Sequence, residues 1–244
     1  MEYITLNNGI KMPMLGYGVY QVTKDECKRC VLDALETGYR LIDTAQSYFN
    51  EEKVGQALAE SGIPRRDIFL TTKVWVEHYG YEETKKSVYI SLEKLKTEYL
   101  DLMLLHQPFA DYYGAYRALE DLYTEGVIRA IGVSNFYPDR LVDIANFARI
   151  VPMVNQVETH PLNQQTEAMK WMKKYDVQIE AWAPFGEGRG GLFENDVLAA
   201  IGKKYNKTAA QVMLRWNLQR GVVVLPKSTH KERMEQNSMY LTFL

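Results

Sequence analysis

LIDTAQSYFNEEKVGQALAESGIPRRDIFLTTKVW, residues 41 to 75, holds the unit that decides the fold. Its first residues end an apolar strand expected over 39–43. A polar loop then leads into an amphipathic helix over 51–61, a stop at Gly62-Ile63-Pro64 and a second apolar strand over 68–74. Two short strands, apolar on both faces and joined by a helix, describe a parallel pair with a crossover. The alternation continues in both directions with a repeat of about 25 to 30 residues. Further strands are expected at 15–19, 99–105, 128–134, 153–157, 178–182 and 222–225. Further helices are expected at 25–37, 82–96, 114–125, 138–149, 164–175, 193–218 with a break, and 230–237.

Eight strands alternating with eight helices predict an α/β chain folded as a (β/α)8 TIM barrel. Ahead of it, YITLNNGIKMP at 3–13 reads as strand, Asn-Gly turn, strand, a β-hairpin expected to cap the bottom of the barrel. The absence of any linker or compositional step makes residues 1–244 one expected domain.

Composition excludes several functions. With 46% apolar residues the chain can build a large core, so disorder is ruled out. Lys and Arg number 29 against 31 Asp and Glu, a net charge of -2 that offers no general attraction to nucleic acid or an anionic membrane. Glu2 stands where a secretory signal carries positive charge, and no apolar segment approaches the roughly 20 residues of a membrane span. A cytoplasmic protein is expected. Cys27 and Cys30 form a lone C-x-x-C, and the histidines at 78, 106, 160 and 230 lack ligand spacing, so no metal site is expected. Thr23-Lys24-Asp25-Glu26 reads instead as a capping box, which places Cys27, Cys30, Val31 and Ala34 on one buried helical face.

Barrel enzymes work at the C-terminal ends of their strands, and those ends are polar here. Asp43, Lys73, His106, Ser134, Asn135, Gln156, Trp182 and Lys227 all fall there. An ammonium in a buried strand costs several kcal/mol unless a counter-charge accompanies it, and Asp43, one strand away, is the expected partner of Lys73. Tyr48, five residues beyond Asp43, can turn its hydroxyl back to that pair. A neighbouring cation favours phenolate, so the tyrosine is expected to have a lowered pKa and to serve as a proton donor.

These segments resemble the aldo-keto reductase family, in the branch of bacterial diketogluconate reductases and prostaglandin F synthases. The matching stretches are LIDTAQSYFNEEKVGQAL at 41–58, TTKVW at 71–75, LLHQP at 104–108, GVIRAIGVSNF at 126–136, NQVETHP at 155–161 and LPKSTHKERMEQN at 225–237. The resemblance implies a catalytic tetrad of Asp43, Tyr48, Lys73 and His106. It also implies reduction of an aldehyde or ketone by hydride from NADPH, the cofactor supplying the difficult step and the protein its placement. Ser134, Asn135 and Gln156 match positions that hold the nicotinamide carboxamide, Trp182 the aromatic stacked on its ring, and Gln236 and Asn237 positions near the adenine.

Thr229-His230-Lys231-Glu232 reads as a capping box opening the last helix. Lys227, Ser228, Thr229 and Arg233 around it suit a phosphate monoester, hence the 2′-phosphate of NADP. Gly186-Glu187-Gly188-Arg189-Gly190-Gly191 fits G-x-G-x-x-G, but Pro184 and the missing acidic residue about 20 positions on argue against a Rossmann turn. It is expected to fold over a pyrophosphate instead. Tyr20, Trp75 and Phe109 follow strand ends and are expected with His106 to line an apolar mouth. Gln107 stands where many relatives carry tryptophan, and Gln236 where the family commonly has glutamate.

After Asn237 relatives continue through further helix and a loop over the active site. Here Ser238 to Leu244 follow instead, which implies an open pocket and broad selectivity. A monomer acting on a small carbonyl substrate is expected. Two other readings stand beside it: an aldolase using Lys73 as a Schiff-base amine, and a nucleotide-sensing regulatory subunit on the same fold.

Overall fold

The polypeptide winds eight parallel strands, in chain order, around one axis and joins the last to the first. The computed structural model describes residues 1–239. The strands are β3 (Tyr17–Gly18), β4 (Leu41–Asp43), β5 (Phe69–Val74), β6 (Leu102–Leu105), β7 (Ile131–Ser134), β8 (Val154–Glu158), β9 (Gln178–Trp182) and β10 (Val223–Val224). Each pairs in parallel with the next. The ring closes where Gly16 N–H donates to Val224 O at 2.9 Å and Val224 N–H donates to Met14 O at 2.9 Å. The expected (β/α)8 barrel is therefore what the chain forms.

Helices cover the outside: α1 (Lys24–Glu36), α2 (Glu51–Glu60), α3 (Tyr81–Leu95), α4 (Tyr112–Thr124), α5 (Pro138–Phe147), α6 (Thr166–Lys174), α7 (Asp196–Tyr205), α8 (Ala209–Gln219) and α9 (Lys231–Ser238). Thr23 caps α1, and its cysteines lie with Val31 and Ala34 on the fully buried face, as the apolar spacing predicts. The long helical segment expected over 193–218 breaks at Asn206, which takes a left-handed φ of 53°. Thr208 and Gln211 then form a reciprocal capping box that starts α8. Neighbouring helices approach closely at Gly55, where a Cβ would stand 2.3 Å from Lys94 O, so any side chain there would push α2 away from α3.

The first two strands, β1 (Tyr3–Thr5) and β2 (Lys11–Pro13), form an antiparallel hairpin. Asn7 Nδ2 donates to Pro152 O at 3.2 Å and Asp176 O at 3.0 Å, and Asn8 Nδ2 to Arg129 O at 3.0 Å. Those carbonyls precede β8, β9 and β7, so the turn ties down backbone ends at the bottom of the barrel, opposite the polar strand ends. Strands β6 and β7 begin later than expected, because Leu100 and Ile128 make only an isolated bridge to each other. Among the described residues no helix is long and apolar enough to cross a membrane, and no group of three or more His, Cys, Asp and Glu could hold a metal. The tail beyond Met239, on which the open-pocket expectation rests, lies outside the described residues.

Candidate active site

Asp43 ends β4, Lys73 lies near the end of β5, and His106 follows β6, so adjacent strands deliver three polar side chains to one rim. The Lys73 ammonium is fully buried and donates to Asp43 Oδ1 at 2.6 Å, Thr44 O at 2.9 Å and the Tyr48 hydroxyl at 3.4 Å. Tyr48 reaches this point from a short 3-10 turn, Gln46–Tyr48. Side chains around the loop hold that turn. Gln46 Oε1 accepts from Trp75 N–H at 2.8 Å, while its Nε2 donates to Ser91 Oγ at 3.1 Å. Thr44 Oγ1 donates to Asn50 Oδ1 at 2.8 Å, and Asn50 Nδ2 to Val19 O at 3.0 Å. Tyr48 stands edge-on to the His106 ring at a centroid distance of 5.6 Å, and Trp75 flanks His106 from another side at 5.2 Å.

The electrostatics depart from the sequence expectation at one point. Lys73 does pull the Tyr48 pKa down, but burial outweighs it and Asp43 adds to burial, so the phenol lies above its ordinary value. Desolvation of the phenolate is the larger effect, and it cannot be read from a sequence. Burial likewise pulls the Lys73 amine down, yet Asp43 and Tyr48 together hold it above the usual lysine range. His106 falls to about 3, through burial first and Lys73 second, so the ring is neutral. Its Nδ1 lies 3.3 Å from Ser47 Oγ.

Amides complete the rim. Trp182 Nε1–H donates to Asn135 Oδ1 at 2.9 Å, and Asn135 Nδ2 donates to His106 O at 3.1 Å and Ser134 Oγ at 3.2 Å. Gln156 Nε2 donates to Asp43 Oδ2 at 2.9 Å and to Glu180 Oε2 at 2.8 Å. Glu180, fully buried on β9, joins this cluster although the sequence reading overlooked it. In VQIEAW it alternates with apolar residues like any half-exposed strand position, and only closure of the barrel turns that face inward.

The phosphate-suited segment is partly as expected. Tyr17 OH donates to Ser228 O at 2.6 Å, fixing the loop after β10 to the first barrel strand. Lys227, Arg233 and Gln236 are exposed, Thr229 is half-buried, and Ser228 and Asn237 are buried. The capping box expected at Thr229 does not form. His230 is the N-cap of α9 without a side-chain bond, and its N–H is taken by Ser228 Oγ at 3.1 Å. At the mouth, Tyr20 packs on Tyr48 at 5.0 Å, and Gln107 is fastened through its backbone to the Tyr79 hydroxyl. Phe109 is exposed, as is Phe49, which adjoins Tyr48 and was not singled out from the sequence. The glycine-rich stretch 186–191 begins after β9 with a 3-10 turn, Gly186–Gly188, and ends where a second one, Leu192–Glu194, starts.

A buried lysine with its carboxylate, a tyrosine hydroxyl and a neutral histidine at one end of a (β/α)8 barrel can now be set beside known proteins. The sequence profile described as "Aldo/keto reductase family" matches residues 12–244. The chain belongs to the aldo/keto reductase family. It is 47% identical over 244 residues to the glyoxal reductase of Bacillus subtilis, covering 99% of this chain and 88% of that one. To the 9,11-endoperoxide prostaglandin H2 reductase of Trypanosoma cruzi it is 46% identical, covering 96% and 84%. Among solved structures, the aldo-keto reductase of Bombyx mori in complex with NADP superposes with a TM-score of 0.93 at 33% identity, covering 97% and 86%. Sequence expectation and family agree on the fold and on an oxidoreductase.

Proposed function

We propose that this aldo/keto reductase reduces small aldehydes or ketones to alcohols, using NADPH, with Tyr48 as the proton donor. The observation that carries the reading is the buried Lys73 ammonium, 2.6 Å from Asp43 Oδ1 and 3.4 Å from the Tyr48 hydroxyl. Burial keeps the proton on Tyr48 at rest. As that proton leaves, negative charge develops beside an ammonium already in place, and preorganised charge of this kind lowers a barrier without reorganisation. Neutral His106 has one ring N–H to donate to a carbonyl oxygen, which orients the substrate against Tyr48.

The donor set suits the cofactor. Both hydrogens of the Gln156 amide are engaged by Asp43 and Glu180, which leaves its carbonyl oxygen to accept from a carboxamide. Ser134, Asn135, Gln156 and Trp182 would hold the nicotinamide, Lys227, Ser228, Thr229 and Arg233 the 2′-phosphate, and Gln236 and Asn237 the adenine. NADPH, when bound, supplies the hydride. Tyr20, Trp75, His106 and Gln107 would face the substrate. A Schiff-base role for Lys73 is disfavoured because Asp43, Thr44 O and Tyr48 occupy its three hydrogens, the pattern of an ammonium and not of a free amine.

The name of the Bacillus relative makes glyoxal the first substrate to try. Absorbance of NADPH and of NADH is followed with glyoxal, simple aldehydes, ketones and sugar-derived dicarbonyls. Oxidation of NADPH well ahead of NADH with at least one carbonyl is expected. No turnover of either nucleotide with any carbonyl would overturn the reading, as would trapping of substrate on Lys73 by borohydride.

A further inference from the structure

Glu180 is a carboxyl with no exposed surface, set in the inner face of the barrel. Its Oε2 accepts from Gln156, and its Oε1 has no hydrogen-bond partner among the described residues. The same Gln156 Nε2 donates to Asp43 Oδ2, so one amide group stands between two buried carboxyls. A single ammonium, Lys73, serves both, and it lies against Asp43. If both carboxyls were ionised, the cluster would carry one uncompensated negative charge in a dry interior, an arrangement costing several kcal/mol. The cheaper state keeps one proton. It falls to Glu180, which lacks the ammonium contact and has an unpartnered oxygen.

We propose that Glu180 is a positioning residue for carbonyl reduction: while neutral it holds Gln156 in place and leaves the charge of Lys73 to Tyr48, and its ionisation weakens Tyr48 as an acid. The inference rests on the functional reading above. Ionised Glu180 would add a second negative charge to the Asp43–Lys73 cluster and oppose the phenolate that forms as Tyr48 gives up its proton. No bond is made or broken at Glu180 itself. Its carboxyl is raised to about 8, by burial first and Asp43 second, with Gln156 and Lys73 pulling the other way.

The surrounding charges are few. Of the flanking strands, β10 has no titratable residue, and β8 has only Glu158, whose Oε1 meets His160 Nε2 at 3.2 Å. Helices α6 and α8 pack on the outer side of the sheet, away from Glu180. Their charges are Glu167, Lys170, Lys173 and Lys174 on α6, and Arg215 on α8, which pairs with Glu2.

Two measurements test this. In the chain without cofactor, labelled with 13C at glutamate side-chain carboxyls, one resonance is expected to titrate in the alkaline range and to vanish in Glu180→Gln. In NADPH-dependent reduction, wild type is expected to lose rate as pH rises through that titration. Glu180→Gln and Glu180→Met, neither able to ionise, should move the fall upward by about one pH unit or more. Glutamates that all titrate in the ordinary range would overturn the proposal, as would superimposed pH profiles in an active wild type, which leave the reductase reading standing. A wild type without carbonyl reduction at any pH would overturn both the reading and the role, and the carboxyl titration would still report the charge state by itself.

Discussion

Ser47 Oγ lies 3.3 Å from Nδ1 of His106, where it can donate to that nitrogen when the ring hydrogen sits on Nε2. Burial and Lys73 keep the ring neutral. A hydroxyl donating to Nδ1 then leaves the hydrogen on Nε2, available to a carbonyl oxygen. Ser47→Ala removes that bias. The expected result is a fall of about 3- to 10-fold in kcat/KM for carbonyl reduction, the size of one hydrogen bond worth about 1 kcal/mol. An unchanged kcat/KM would show that another group sets the tautomer.

Tyr48→Phe retains the ring that packs on Tyr20 and His106 and deletes the hydroxyl beside Lys73. A loss of about a hundredfold or more in reduction rate is expected, in keeping with removal of a general acid. NADPH affinity, read by quenching of protein fluorescence, should change by less than about threefold, since the hydroxyl is assigned to the carbonyl and not to the cofactor. Near-normal turnover in this variant would remove Tyr48 from the acid role.

The Asp43–Lys73 contact also predicts a stability pattern. Asp43→Asn leaves a buried ammonium without its counter-charge, and Lys73→Met leaves Asp43 and Glu180 with no cation, so each is expected to cost about 3 to 5 kcal/mol. Removing both charges together should cost less than the sum, because the double variant buries no unpaired ion. Urea unfolding of the two single variants and the double measures the coupling. Strict additivity would mean that the pair is solvated far more than its burial implies.

Why some of this was legible in the sequence and some was not follows from what each feature depends on. Strands such as β9, expected at 178–182 and found there, are apolar segments bounded by turns, a local pattern. That Asp43, Lys73 and His106 meet was legible because a parallel barrel forces strand ends to one rim, so they could be placed together without coordinates, whereas a catalytic role for them came only from the family resemblance. Tyr48 followed from its distance beyond Asp43. Glu180 was missed because its partners, Gln156 and Asp43, are 24 and more than a hundred residues away. The direction of the Tyr48 pKa was misjudged because a nearby cation can be read from sequence, whereas the desolvation opposing it depends on what packs around the ring. The start of α9 was misplaced because Ser228 offered its hydroxyl to the His230 amide before Thr229 could act as the cap.

Neutral His106 makes a final prediction about acid stability. Its folded-state value of about 3 lies below the ordinary 6.5, so the folded chain binds fewer protons here than the unfolded one. The resulting stability is fully present above 6.5 and is lost as pH falls toward 3, by up to about 1.4 kcal/mol per pH unit. Glu180 acts with the opposite sign. Its raised value stabilises the fold fully below the ordinary carboxyl range, and that contribution fades as pH rises through about 8. The two windows overlap between pH 4.5 and 6.5, but Glu180 acts there in wild type and in His106→Gln alike, so the difference between the two isolates the imidazole. Urea midpoints measured from pH 7 down to pH 4 should fall more steeply for wild type than for His106→Gln. Equal slopes would mean that the imidazole takes up its proton without unfolding, which would also withdraw the argument that it stays neutral while holding a carbonyl oxygen.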